Sequence, residues 1–317
     1  NYMFNQSGNS QSRYLNGVLG RDMIYPNFWE TRVLKYTERR LSSYQLKGEH
    51  GFSSFLGQGS LLKWNASYAN STQDEPDLRY FSNTVNVRDR DNSGSYEDTS
   101  FVITPSKYPA PNRYYRDLVE DNINGKLDLD MPFRQWDGLY SVFKFGGYYS
   151  TSDRKFRERQ YEFAMDYSQQ YGYDGDPYSF WDNDNVGLVD TSGYLNRFAN
   201  YVLDKSHPRG SYDGDQQISA GYAMVELPIT PRWQLISGFR VENTDMTVAS
   251  LDTGLPDSLR SGDIQVTDIL PSVNLIYLLQ DDMNLRWSFG RTLARPTLRE
   301  MAPYSSFDFA NDYTFTG

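Results

Sequence analysis

The sequence predicts an all-β fold, an antiparallel transmembrane β-barrel segment with long external loops, and three observations predict it. Segments with one apolar and one polar face recur along the chain, a period of two that belongs to strands. The connections between these segments alternate short and long, whereas loops beyond about 15 residues are unusual in compact soluble domains. The composition is polar yet aromatic: hydrophobic residues make up 38% of the 317 and aromatic ones 16%, with a mean hydropathy of −0.70. That is too polar for membrane helices, and no run of about 18 apolar residues occurs. A barrel strand needs only every second residue apolar. Tyr and Trp suit interfacial girdles or ligand-binding loops, and the chain holds 26 and 6 of them; a soluble core would draw on Leu, Ile and Val.

The candidate strands follow in order. Residues 41–48 give a weak signal, with Tyr44 and Leu46 on one face. Over 61–69, Leu62, Trp64, Ala66 and Tyr68 oppose Lys63, Asn65 and Ser67. The split is nearly complete over 123–133, where Ile123, Leu127, Leu129, Met131 and Phe133 oppose Asn124, Lys126, Asp128 and Asp130. Residues 139–151 carry Leu139, Phe143, Phe145 and Tyr149 on one side. Over 217–227, Ile218, Ala220, Tyr222 and Met224 oppose Gln217, Ser219 and Gly221. Over 233–243, Trp233, Leu235, Phe239 and Val241 oppose Gln234, Gly238, Arg240 and Glu242. A hairpin closes the series: Val273, Leu275, Tyr277 and Leu279 share a face, 280–283 turns, and Leu285, Trp287 and Phe289 return. Short turns are expected at 134–138, 228–232 and 280–283, and long loops at 70–119, 152–216 and 250–268. Strands of about 9–11 residues match a tilted membrane crossing. All of residues 1–317 read as one barrel domain. The start at Asn1-Tyr2-Met3 shows no signal-peptide pattern, and the chain reads as an internal piece of a longer protein.

Charge and chemistry exclude several classes. The net charge is −10 and the pI near 4.8, so a nucleic-acid backbone would be repelled. The one dense basic cluster, 154–159, is diluted by Glu158 and reads as a solvated loop edge. Zero Cys removes disulfides and thiolate chemistry. His50 and His207 stand apart, each without a partner at metal-ligand spacing. No nucleophile elbow, phosphate-binding loop or zinc-protease helix occurs, so neither an enzyme nor a cofactor is expected. Asp89, Asp91, Ser93, Gly94 and Glu97 reproduce the first half of an EF-hand-like calcium loop. Ser100 replaces its bidentate Glu, and an acidic turn accounts for the pattern better. Between Arg159 and Asn185, rings and carboxylates interleave, a mixture suited to sugars or a ferric chelate. Tyr171, Tyr173, Tyr178, Trp181 and Asp182 are the candidate ligand-binding residues, in a loop expected to lie outside the membrane; self-packing of these rings explains the composition equally well.

Near the end the order runs Leu270-Pro271-Ser272-Val273-Asn274, Leu285-Arg286-Trp287-Ser288, Arg291-Thr292-Leu293-Ala294-Arg295-Pro296 and Glu300-Met301-Ala302-Pro303. This resembles the barrel of TonB-dependent outer-membrane receptors, in which a strand recurs over the last two stretches. Tyr36-Thr37-Glu38-Arg39-Arg40-Leu41 and Leu46-Lys47-Gly48-Glu49-His50 resemble the same barrel, as does a loop start at Glu75-Pro76-Asp77-Leu78-Arg79. The resemblance implies part of a 22-stranded barrel in the outer-membrane lipid, with a plug and a TonB box that this chain does not show. It implies import of a scarce ligand, such as a ferric siderophore, cobalamin or a glycan, driven by the TonB complex. The alternative class is a secreted all-β carbohydrate-binding or glycan-degrading protein.

The hairpin faces generate a test. Leu285→Arg, on the lipid side, is expected to destabilise the full-length barrel by about 2–4 kcal/mol at mid-depth. Ser288→Arg, on the lumen side, costs far less. Membrane-refolding titrations of both variants decide, and equal penalties would sink the barrel assignment.

Overall fold

Antiparallel pairing between chain neighbours builds almost the whole structure. The computed structural model describes residues 1–18, 27–53, 59–88, 98–103, 110–135, 138–165, 173–190, 197–308 and 313–316. One sheet of 11 strands contains β1 (Tyr2–Gly17), β2 (Asn27–Phe52), β3 (Ser60–Arg88), β4 (Asp98–Val102), β5 (Asn112–Arg134) and β6 (Tyr140–Ala164). Small β7 (Leu188–Asp190) and β8 (Arg197–Phe198) pair apart from it, while β9 (Tyr201–Asp204) adds to β6. The sheet continues through β10 (Tyr212–Thr230), β11 (Trp233–Ser250), β12 (Ser261–Gln280) and β13 (Met283–Gly290). A separate hairpin, β14 (Ser305–Asp308) and β15 (Tyr313–Thr316), follows. The main path runs β1-β2-β3-β5-β6-β10-β11-β12-β13, with β4 beside β3. Its ends do not meet, so the sheet is a partial barrel, and the 22 strands implied by resemblance are not what this chain supplies.

Register puts the predicted apolar faces on one side, except that of residues 217–227, whose even-numbered residues fall on the other. Leu127 stands opposite Trp64 on β3, and Leu129 opposite Phe145 on β6. Leu235 stands opposite Leu275, which in turn faces Trp287. These side chains form an exposed apolar belt, with Leu127 51%, Leu285 62% and Trp287 58% accessible. On β5 the belt runs from Ile123 to Phe133, about 33 Å along the strand and roughly 25 Å of height at barrel tilt. Aromatic pairs edge it: Phe133–Phe143 at 4.5 Å and Trp233–Tyr277 at 4.5 Å near the short turns, Tyr44–Tyr68 at 6.4 Å at the other border. Asp121, which accepts a 2.6 Å hydrogen bond from Tyr68 Oη, marks where the belt stops.

Strand lengths correct the sequence reading. β3 has 29 residues and β6 has 25, well beyond a membrane crossing. β3 reaches Arg88 and β5 begins at Asn112, so much of the expected loop 70–119 is strand. Likewise β6, β10 and β12 take both ends of 152–216 and the latter part of 250–268. Beyond the lipid the outward face meets water while the inward face mixes apolar and charged residues, so the apolar–polar contrast fades and the hydrogen-bond ladder marks the strand. For the same reason β1 gave no signal. Glu75–Leu78 is a register shift inside β3, not a loop start; Pro76 cannot donate to the ladder, and a bulge accommodates it. The 228–232 and 280–283 turns stand where expected. Residues 136 and 137 of the third turn, and the calcium-like stretch 89–97, lie outside the described residues.

Two local findings bear on the inner face. Ile218, Ala220, Tyr222 and Met224 point to the concave side, because they alternate in register with Thr244, Glu242 and Arg240 of that side. Tyr222 lies across Gly146 and donates a 2.6 Å hydrogen bond to Asp128 Oδ1, two strands away. The chain after Gly290 is the second. Resemblance implied a strand over 291–303, but the segment leaves the ladder after Arg291 N–H donates to Pro271 O and ends in a short helix, Leu298–Met301. Pro296 explains part of this, since it removes a ladder donor. Thr297 and Glu300 cap the helix reciprocally, a local preference that competes with strand.

Because a Cβ at Gly146 would collide with the Tyr222 ring, Gly146→Val should cost about 1–3 kcal/mol. The readout is the midpoint of urea unfolding of the refolded full-length protein; an unmoved midpoint would mean the ring yields freely.

Candidate functional site

Above the apolar belt, the concave side of β1 to β10 encloses a cavity of about 900 Å³. Strand alternation brings charged residues of four strands to one level there. Lys35 Nζ lies 2.7 Å from Glu75 Oε1, and Arg116 sits 3.6 Å from Glu75 Oε2. Arg116 Nε then donates to Glu158 Oε2 at 2.6 Å. Arg154 pairs with Glu120 beside them. The carboxylates are nearly buried, with Glu75 5% and Glu158 11% accessible at the side chain. Charges so poor in water persist only where partners replace hydration.

The segment 291–304 crosses this inner face as a strap with three anchors. Arg295 pairs with Glu242 at 2.5 Å and Asp268 at 3.4 Å. Leu298 is buried against Tyr212, Met246 and Val248, in a cluster that also holds Ala302 and Tyr304. Tyr304 Oη donates to Glu158 Oε2 at 2.9 Å, joining the strap to the charge chain. Burial pushes the Tyr304 hydroxyl well above its ordinary range, so it remains a donor. The strap thereby holds Arg299 at the cavity wall. Sequence reading found none of these cavity residues as a site, because the carboxylates and bases are scattered from 35 to 304. The only available signal was the Thr297–Glu300 capping pattern beside Arg295-Pro296.

The candidate loop residues do not converge. Tyr173 is 7% accessible and packs with Phe81, Ile103 and Phe180. Burial raises its hydroxyl pKa. Trp181 stands edge-on to Phe163 at 4.3 Å and Phe180 at 4.6 Å. By strand alternation Phe81 lies on the side of β3 away from Tyr80 and Leu78, which belong to the core of the other face. Tyr178 is 87% exposed, and Asp182 is exposed and accepts from Asn183 N–H. Asp174 is held below the usual carboxylate range by hydrogen bonds from Ser179 Oγ and the Asp176 N–H. Tyr171 lies outside the described residues. Of this segment, 159–164 belongs to β6 and is not loop. The two His are occupied separately: His50 Nε2 accepts from Trp64 Nε1 at 3.1 Å, and His207 Nδ1 from Arg209 N–H at 3.1 Å.

Comparison with known proteins adds the following. The family profile described as outer membrane protein beta-barrel family matches residues 139–316. Among solved structures, the alcaligin outer membrane receptor FauA from Bordetella pertussis is similar at 10% identity and TM-score 0.35, over 91% of this chain and 43% of that one. The ferric citrate transporter FecA in its unliganded form is similar at 12% identity and TM-score 0.35, over 82% and 35%. FpvAI in complex with pyocin S2 is similar at 14% identity and TM-score 0.36, over 91% and 42%. The chain spans less than half the length of each of these. No curated protein matches it.

The strap anchors generate a test. Arg295→Gln removes the charge shared by Glu242 and Asp268 and should weaken strap docking by about 1.5–3 kcal/mol. Hydrogen exchange of 291–304 in the detergent-solubilised full-length protein reads it, and unchanged protection would assign docking to Leu298 and Tyr304 alone.

Proposed function

The chain belongs to the outer membrane protein beta-barrel family, and from that premise we propose that it forms part of the wall of a TonB-dependent import receptor. Its place is the cell outer membrane, with the apolar belt in lipid. The observation that carries the receptor reading is the cavity above the belt, lined by charged side chains and bordered by a strap folded in from the sheet edge. A sheet that served only as an anchor would have no use for nearly buried carboxylates held by ion pairs at a cavity wall. A scarce ligand, a ferric chelate or a glycan, would enter from the long-loop end, and the TonB complex would drive its passage to the periplasm. Tyr178 and Asp182 are exposed at that end and are available for first contact.

The secreted carbohydrate-binding or glycan-degrading alternative is disfavoured by the belt itself. Leu127, Phe145, Leu285 and Trp287 would all stand in water in a soluble protein. We propose no catalytic role for the chain, since its sequence holds no recognisable nucleophile–base arrangement.

Uptake of candidate ferric chelates and oligosaccharides by cells making the full-length protein tests the reading. Uptake of one of them should depend on both this protein and TonB. Tyr178→Ala is expected to lower capture several-fold while leaving heat-modifiable gel mobility intact. Uptake that persists without TonB would overturn the import mechanism, and turnover of a substrate lost with a single carboxylate here would restore the enzyme reading.

A further inference from the structure

The cavity reverses the charge of the chain that builds it. The whole sequence carries −10, yet Arg13, Lys35, Arg39, Arg40, Arg116, Arg154 and Arg299 line the cavity against Glu75 and Glu120, with Glu158 beside Arg116 and Glu38 beside Arg40 at its margin. Both lining carboxylates are already engaged, Glu75 by Lys35 and Arg116 and Glu120 by Arg154. The surplus is therefore cationic. Among the described residues, Arg39 commits only its Nε, to Gln73 Oε1 at 2.9 Å, and Arg13 and Arg299 form no ion pair.

We propose that this cavity binds a small multivalent oxyanion, a polycarboxylate or a phosphate-bearing compound in free or metal-chelated form, and not a neutral sugar. The proposal rests on the receptor reading for the idea that the cavity receives a ligand, and it names that ligand's chemistry. A volume of about 900 Å³ suits a small molecule. A guanidinium presents its donors in a planar fork that matches carboxylate and phosphate oxygens, which a point charge does not. Arg299 and Arg39 come to the cavity from different elements: one from the strap, the other from β2, in register with Gln73 of β3 and through it with Leu118 of β5. That level lies beyond Asp121, outside the lipid belt, so an ion reaches it without crossing hydrocarbon. Arg299 is also placed by a built support, since Leu298 on one side is buried and Tyr304 beyond it is tied to Glu158. The overall negative charge does not forbid entry. At about 0.15 M ionic strength, fields fade within roughly 8 Å, and the local surplus dominates inside the cavity.

The test uses the detergent-solubilised full-length protein, titrated calorimetrically with citrate, with pyrophosphate and with neutral maltotriose. At least one anion should bind and maltotriose should not, with affinity falling as salt rises. Arg39→Gln and Arg299→Gln should each weaken anion binding about tenfold, the loss of one charge-assisted contact. Arg299→Lys should lose less than Arg299→Gln. Arg157→Gln, which removes the same charge from the opposite face of β6, should leave binding unchanged; its partner there is Asp213 at 2.7 Å. Preference for citrate or pyrophosphate identifies the carboxylate or phosphate source. Absence of binding by both anions, or binding indifferent to both Gln substitutions, would overturn the proposal. TonB-dependent uptake in cells reads transport and not cavity charge, so failure of the receptor reading registers separately.

Discussion

The backbone hydrogen-bond ladder is the constraint on which the rest of this structure depends. In hydrocarbon no water can satisfy a peptide N–H or C=O, so a chain without apolar helices can cross only as paired strands. Once that pairing exists it imposes strict alternation: one set of side chains meets lipid and the other meets the interior. The belt from Ile123 to Phe133 and the charged row from Arg116 to Asp130 are two faces of a single strand. The ladder needs no lipid to persist, and β3 and β6 carry it far past the belt. There it becomes a scaffold that delivers side chains from distant sequence positions to one level.

The inner face exploits that scaffold through pairs that would be unstable singly. Glu75, between Lys35 and Arg116, is nearly buried, as is Glu158 between Arg116 and Tyr304. Loss of Arg116 would leave the nearly buried Glu158 with no counter-ion among the described residues and Glu75 with Lys35 alone. Such a chain orients its members, since each donor's direction is set by the next acceptor. The strap borrows this order. Tyr304 ends on the charge chain, Arg295 on Glu242 and Asp268, and Leu298 in an apolar socket. A segment that left the sheet without such anchors would have unpaired backbone and nothing to hold it; here a reciprocal cap closes the start of its helix.

The aromatic segment around Tyr173 and Trp181 illustrates how composition underdetermines geometry. Rings and carboxylates together suit a ligand, but the same rings suit each other, and Phe81, Phe101, Phe163 and Phe180 are within reach. The carboxylates largely stay local, as Asp176 and Asp182 cap the short helical turns. Among the described rings of 173–181, only Tyr178 stands free in solvent.

By itself the sequence determined the architecture of the lipid-facing part: strand existence, which face meets lipid on every predicted strand but β10, and where the tight turns fall at 228–232 and 280–283. Lipid selects hydrophobicity at every second position, so that information is local and readable in pairs such as Leu275 and Trp287. It did not determine strand ends, β1, the bulge at Glu75–Leu78 or the fate of 291–303, because outside the lipid the inward face mixes apolar and charged residues and leaves no simple alternation to read. Only the tertiary structure decided the candidate site. Lys35, Glu75, Arg116, Glu158 and Arg299 are separated by tens to hundreds of residues and carry no shared pattern. Register across four strands, and a strap folded back from the sheet edge, bring them to one cavity; such proximity is a property of long-range pairing and has no local trace in the chain.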